Sequence, residues 1–268
     1  MCSALIQTPR KAATGNRKLM VATVSMNAKL DTNTNLNKFK YYIDEASSKG
    51  AQLIVFPEIA LQQNPGWGRS NHNPTQGELT YLHETAEAVP GPSTNKLVEV
   101  AKKNNIHIIF GMTEKEADDK LYNSSVFLGP NGVIGKYRKR QLWDSNTDGN
   151  EHLSWHKGVD SGIIDSPIGK VGLMICIEMS FDFGVRLVKE GADFLVTVSA
   201  WPSFAGLIYD EVSKKNAIDT GCWHIVSNQV GNVGHAVDYG HSRIIAPNGE
   251  IIVDTGAEEG MVISTIDF

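Results

Sequence analysis

Lys170-Val-Gly-Leu-Met-Ile-Cys176-Ile-Glu-Met-Ser180 is the stretch on which the reading of this chain turns. Lys170 to Cys176 has the length and apolar content of a buried strand, and residues 183–191 read as a helix. A cysteine on such a sharp strand-to-helix turn presents its sulfur to a cleft. Free backbone N–H groups at the turn are then at hand for an oxyanion. A lone cysteine in an apolar segment is equally the mark of an inert core residue, so the turn leaves both readings open.

Two further strand ends carry chemistry. Gln52-Leu-Ile-Val-Phe56 is a short apolar strand that Pro57 halts, which puts Glu58 at its end. Sites in α/β proteins gather at such ends, and a carboxylate among apolar neighbours is a candidate general base. Gly135-Lys-Tyr-Arg-Lys139-Arg-Gln-Leu-Trp143 turns sharply basic as its strand closes. Lys139 there either fixes charge on a tetrahedral intermediate or is one cation of a solvated strand end.

Around these stretches, strand-like runs alternate with helical periods. Residues 19–24 open a sheet, and 36–49 follow as a helix with Leu36, Phe39, Ile43 and Ala46 on one side. A long polar loop is expected over 62–77. A helix capped by Ser93 and running to Asn105 comes next, then a strand over 106–111. Gly129-Pro-Asn-Gly132 marks a hairpin between 125–128 and 133–137. Strands are further expected at 194–198, 224–227, 243–246, 251–253 and 261–266, with a helix over 211–220. Interleaved strands and helices argue an α/β fold, and the hairpins argue mixed sheets.

Composition excludes several classes. The chain has 268 residues, 41% of them hydrophobic, with a net charge of −5. It can bury one large core, and a nucleic-acid partner is not expected. No apolar run reaches the roughly 18 residues a membrane helix needs. Cys2, Cys176 and Cys222 make no disulfide framework and fit a reducing, cytoplasmic setting. The histidines and cysteines show no ligand spacing, so neither a metal nor another cofactor is expected. Residues 1–18 carry Arg10, Lys11, Arg17 and Lys18, no acid, and no apolar centre. They read as a disordered tail, or else a short organelle-targeting segment, ahead of one domain over 19–268.

Phe-Pro-Glu58, Gly-Lys-Tyr-Arg-Lys139, Glu151…Trp155…Gly158 and Gly-Leu-Met-Ile-Cys176, in this order, resemble the nitrilase superfamily of carbon–nitrogen hydrolases. Pro90-Gly-Pro92, Gly191-Ala-Asp193, Ala200-Trp-Pro202 and the stretch Gly240 to Gly249 extend the resemblance along the chain. It implies a four-layer α-β-β-α sandwich with two packed sheets. It also implies that Cys176 attacks the substrate carbon and Glu58 moves protons. Lys139 and the backbone N–H of Ile177 hold the oxyanion, and Glu151 orients the lysine. Asp144 and Asp148 are rivals for the last role.

The resemblance further implies an amide, N-carbamoyl or nitrile substrate, with the amidase-like branch favoured, and a homodimer or higher homo-oligomer. Trp143 and Trp201 are expected to join Ile177 at the substrate, with Trp67 and Tyr209 as further pocket candidates. Gln141 stands where the family often has histidine. Ile177-Glu178 stands where an aromatic-acidic pair is common. A catalytically silent scaffold of the same fold is the contrasting expectation.

Overall fold

A computed structural model of the chain describes residues 17–66, 73–144, 150–233 and 236–268. One six-stranded sheet comprises β1 (Lys18–Ser25), β2 (Leu53–Val55), β3 (His107–Lys115), β4 (Leu121–Gly129), β5 (Gly132–Arg138) and β14 (Gly260–Asp267). A second comprises β6 (Ile163–Ser166), β7 (Gly169–Ile175), β8 (Phe194–Ser199), β9 (His224–Asn228), β12 (Arg243–Ile245) and β13 (Ile251–Asp254). A short hairpin of β10 (Val230–Val233) and β11 (Ala236–Tyr239) stands apart. The helices are α1 (Thr32–Ser48), α2 (Gln76–Thr85), α3 (Pro92–Asn104), α4 (Phe183–Lys189) and α5 (Gly206–Thr220).

Both sheets are mixed. In each, three central strands run parallel, β1-β2-β3 and β7-β8-β9, and antiparallel strands flank them. The twofold side-chain period of a strand then sorts residues between layers. Val21, Val55 and Ile109 of the first sheet meet Leu173, Ile175, Val196 and Ile225 of the second in one core. Their sequence neighbours Ala22, Ile54 and Ile108 point the other way, into a core shared with Phe39 and Ile43 of α1 and Leu97 and Ala101 of α3. Met174 and Leu195 likewise face Phe183 and Leu187 of α4. The result is the α-β-β-α sandwich expected from the sequence.

The elements differ from the sequence reading in several places, among them the strands β6, β10 and β11, where the sequence reading has no strand. The first strand begins at Lys18 and pairs with Asp267, while the Arg17 N–H donates to Phe268 O at 3.2 Å. The expected disordered tail otherwise lies outside the described residues. α2 begins inside the loop expected over 62–77, because Thr75 and Glu78 start it with a reciprocal capping box. The N-cap of α3 is Gly91, not Ser93: Pro92 takes the first helical position, where a missing N–H is harmless, and Ser93 turns its hydroxyl to Glu87 at 2.6 Å. α5 starts five residues earlier than expected because Leu207 and Ile208 are exposed, so they add no inward-facing period.

One buried residue ties this framework to pH. His224 on β9 lies at 2.9 Å from Ser213 O through Nδ1 and 2.8 Å from Thr197 Oγ1 through Nε2. The carbonyl can only accept, so Nδ1 carries a proton, and in the neutral ring Nε2 accepts from the Thr197 hydroxyl. Burial pushes its pKa down to about 4. Below about pH 6.5 the unfolded chain takes a proton that the folded one refuses, so stability falls as pH drops from there towards 4. The loss is expected to reach about 3 kcal/mol. Urea midpoints at pH 7.5 and 4.5 check it, since His224→Gln should remove most of the difference.

Candidate active site

The parallel strands of both sheets end on one side, and Glu58 and Cys176 follow two of those ends. Glu58 stands three residues beyond β2, at a turn that presses against β3. A side chain at Gly111 would place its Cβ 2.5 Å from Glu58 Cα, which explains a glycine there. Lys139 immediately follows β5, and its N–H donates to Asn123 O at 2.8 Å. Gly158 N–H donates to Lys139 O at 2.8 Å, and a Cβ on Gly158 would lie 2.2 Å from Arg138 O. The loop carrying Glu151 can thus lie flat on the lysine's backbone only with glycine at 158.

Cys176 follows β7 directly and opens a 3₁₀ turn, Cys176–Ser180, at φ 51°. A left-handed backbone on a non-glycine residue is strained, and such strain persists where surrounding structure imposes it. The strand-to-turn geometry expected for this cysteine is therefore present, and its sulfur is buried.

The four expected residues come together. Lys139 Nζ donates to Glu58 Oε1 and to Glu151 Oε1, both at 2.9 Å, and all three side chains are buried. Asn123 Nδ2 donates to Glu58 Oε1 at 2.7 Å, and the Ala200 N–H donates to Oε2 at 2.8 Å. Glu151 Oε2 accepts the Trp143 N–H at 2.6 Å. Two of the three ammonium protons are engaged by carboxylates, which leaves one for a developing oxyanion.

The charges set each protonation state. Burial opposes the Lys139 ammonium, but Glu151 and Glu58 outweigh it and hold its pKa well above the ordinary value. Burial pushes Glu151 up, and Lys139 pulls against that rise. Burial also pushes the Cys176 thiol well up, and the negative charge of Glu58 adds to it. Lys139 and the Ser199 hydroxyl act in the opposite sense. The resting sulfur is thus a protonated thiol beside a carboxylate, a pair that needs general-base assistance to attack.

Other candidates fall elsewhere. Trp201 is packed into the inter-sheet core against Tyr209, at 5.9 Å between ring centroids, and its indole N–H donates to Ala205 O at 2.9 Å. Tyr209 is buried too, its hydroxyl donating to His241 O. Trp143 is half-buried beside Ala200. Ile177 is half-buried at the turn, and its side chain packs on the inter-sheet core. Asp144 turns to His152, accepting from Nδ1 at 2.8 Å, and does not reach the lysine. Trp67 and Asp148 lie outside the described residues. Tyr122-Asn-Ser124 and Ala200-Trp-Pro202 are among the phrases that carry the family resemblance, but the sequence gives Asn123, Ser199 and the Ala200 N–H no role. Among the described residues, no three His, Cys, Asp or Glu side chains are grouped to hold a metal ion.

Comparison with known proteins shows the family and the fold. A family model described as carbon-nitrogen hydrolase matches residues 20–268. A probable nitrilase of Schizosaccharomyces pombe is 32% identical over 258 residues, covering 93% of this chain and 89% of that protein. Omega-amidase NIT2 of Homo sapiens is 31% identical over 241 residues, covering 87% and 83%. Among solved structures, Saccharomyces cerevisiae Nit3 shares the fold at a TM-score of 0.81 and 22% identity, covering 97% and 93% of the two chains. An amidase from Nesterenkonia sp. does so at 0.78 and 18%, covering 96% and 92%.

Proposed function

The chain belongs to the carbon–nitrogen hydrolase family, and from that premise we propose that it cleaves the C–N bond of a small amide or N-carbamoyl compound through a thioester on Cys176. The observation that carries the reading is Lys139 held at 2.9 Å from both Glu58 and Glu151 beside a buried cysteine. Omega-amidase relatives favour an amide substrate over a nitrile.

The residues present supply each step. Glu58 takes the thiol proton as the sulfur attacks the carbonyl carbon, and the carbonyl π electrons move onto oxygen. The Lys139 ammonium and the Ile177 N–H receive that oxyanion, which is where charge develops and where stabilisation counts most. Collapse expels ammonia or an amine, which takes the proton back from Glu58. Water then attacks the thioester with Glu58 again as base, and the thiolate leaves with that proton. Glu151 and Asn123 keep the lysine and base in place throughout. Trp143 forms one wall of the pocket; Trp201 supports it from the core.

Ammonia release from a panel of aliphatic amides, ω-amides, N-carbamoyl compounds and nitriles tests the reading. A Cys176-dependent signal on amides or carbamoyl compounds supports it. A signal on nitriles alone moves the enzyme to nitrile hydrolysis, and silence from folded protein favours a silent scaffold.

The assembly we propose is a homodimer. Leu207, Glu211, Lys214 and Ile218 form one exposed stripe of α5, with Leu207 86% exposed and Phe204 beside it 74% exposed. Antiparallel pairing of two such helices sets Leu207 against Ile218 and Glu211 against Lys214 across a twofold axis. Leu207→Asp is expected to convert dimer to monomer in sedimentation, and an unchanged mass would exclude this face. Among the described residues no helix is long and apolar enough to cross a membrane. A free thiol as nucleophile supports a reducing, cytoplasmic setting for the enzyme.

A further inference from the structure

Glu178 is a buried carboxylate that the mechanism above does not use. It sits two residues beyond Cys176 and accepts four hydrogen bonds, every one from a neutral donor. Oε1 takes the Tyr137 hydroxyl at 2.8 Å, the Arg140 N–H at 2.7 Å and the Gln141 N–H at 3.0 Å. Oε2 takes the Ile175 N–H at 2.8 Å. Burial pushes its pKa up, and these donors act against that rise.

The partners decide what this carboxylate does. Tyr137, Arg140 and Gln141 bracket Lys139, and Ile175 immediately precedes Cys176. One side chain therefore ties the strand end that carries the lysine to the turn that carries the nucleophile. A carboxylate is required because donors approach both oxygens. A carboxamide in its place points a donor at a donor whichever way it is turned. The tie also accounts for the left-handed backbone of Cys176, which holds only when both flanks of the turn are fixed.

We propose that Glu178 is a positioning residue whose carboxylate fixes the Cys176 sulfur relative to the Lys139 ammonium, so that the oxyanion forms within the lysine's reach. This rests on Cys176 being the nucleophile. Attack on an amide needs sulfur and lysine in register. Alkylation by iodoacetamide needs only the sulfur, since iodide leaves from a saturated carbon and no oxyanion develops.

The test compares both reactions in the wild type, Glu178→Gln and Tyr137→Phe. Glu178→Gln is expected to lower kcat about 10- to 100-fold with KM within about threefold, while Cys176 alkylation changes less than about threefold. Tyr137→Phe removes one of the four bonds and should show the same split on a smaller scale, about two- to fivefold in kcat. That variant carries the test if Glu178→Gln does not fold. Glu178→Asp keeps the charge and both acceptors and should recover part of the lost kcat. Equal falls in kcat and alkylation, or no fall in kcat, overturn the proposal. Wild-type protein that hydrolyses its substrate with Cys176 fully alkylated would overturn the nucleophile reading itself, and this proposal with it.

Discussion

Cys176→Ala is expected to abolish turnover, by at least about 10⁴-fold, with little change in thermal stability. The two halves of that expectation rest on different facts. The thiol is the strongest nucleophile beside Glu58 and Lys139, and alanine offers nothing in its place. Structurally the change is small: one buried sulfur is lost, and alanine at φ 51° carries the same kind of backbone strain that cysteine already bears. A stability loss of about 1 kcal/mol is the expected scale. Ammonia release and a melting curve on the same preparation check both halves. Turnover within tenfold of wild type would end the thioester mechanism. Cys222→Ser is the matched control, because Cys222 is half-buried in the turn before β9 and should keep substantial activity.

The strand ends made Glu58, Lys139 and Cys176 candidates in the sequence, and the family resemblance, not the apolar runs, gave them their roles. Val21 and Ala22 pack into different cores, a sorting of faces that an unbroken apolar run does not announce. What stayed hidden depends on partners that no local pattern reports. Glu178 receives donors from residues 37 to 41 positions away, and Asn123 reaches Glu58 across 65 positions. The first turn of α5 was missed for the opposite reason, since Leu207 and Ile208 face outward and Tyr209 alone makes no inward period. The capping box of α2 stands at Thr75 and Glu78, but the ten residues of the helix bury few side chains and give a weak period. Trp201 shows the limit of reading by residue type, because an aromatic next to a strand end serves a core as readily as a pocket.

Lys139→Met should fold, lose activity about 10³-fold or more, and show a stability defect that depends on pH. Methionine preserves length and fills the space, so the loss isolates the charge. Without the ammonium the oxyanion keeps only a backbone donor, and Glu58 loses its ion-pair partner. The buried carboxylates Glu58 and Glu151 then stand together uncompensated, a situation that costs about 3–5 kcal/mol when both are ionised. They avoid that cost by binding a proton. In the wild type burial pushes Glu151 up and Lys139 pulls it down, so removing the lysine raises it further. A carboxyl with a higher pKa folded than unfolded binds more protons in the folded state, and stability then falls as pH rises through that pKa. The defect of Lys139→Met relative to wild type is therefore expected to be larger at pH 8 than at pH 5. Urea midpoints at the two values measure it directly. A defect equal at both, or larger in acid, would mean that the lysine is not neutralising the two glutamates.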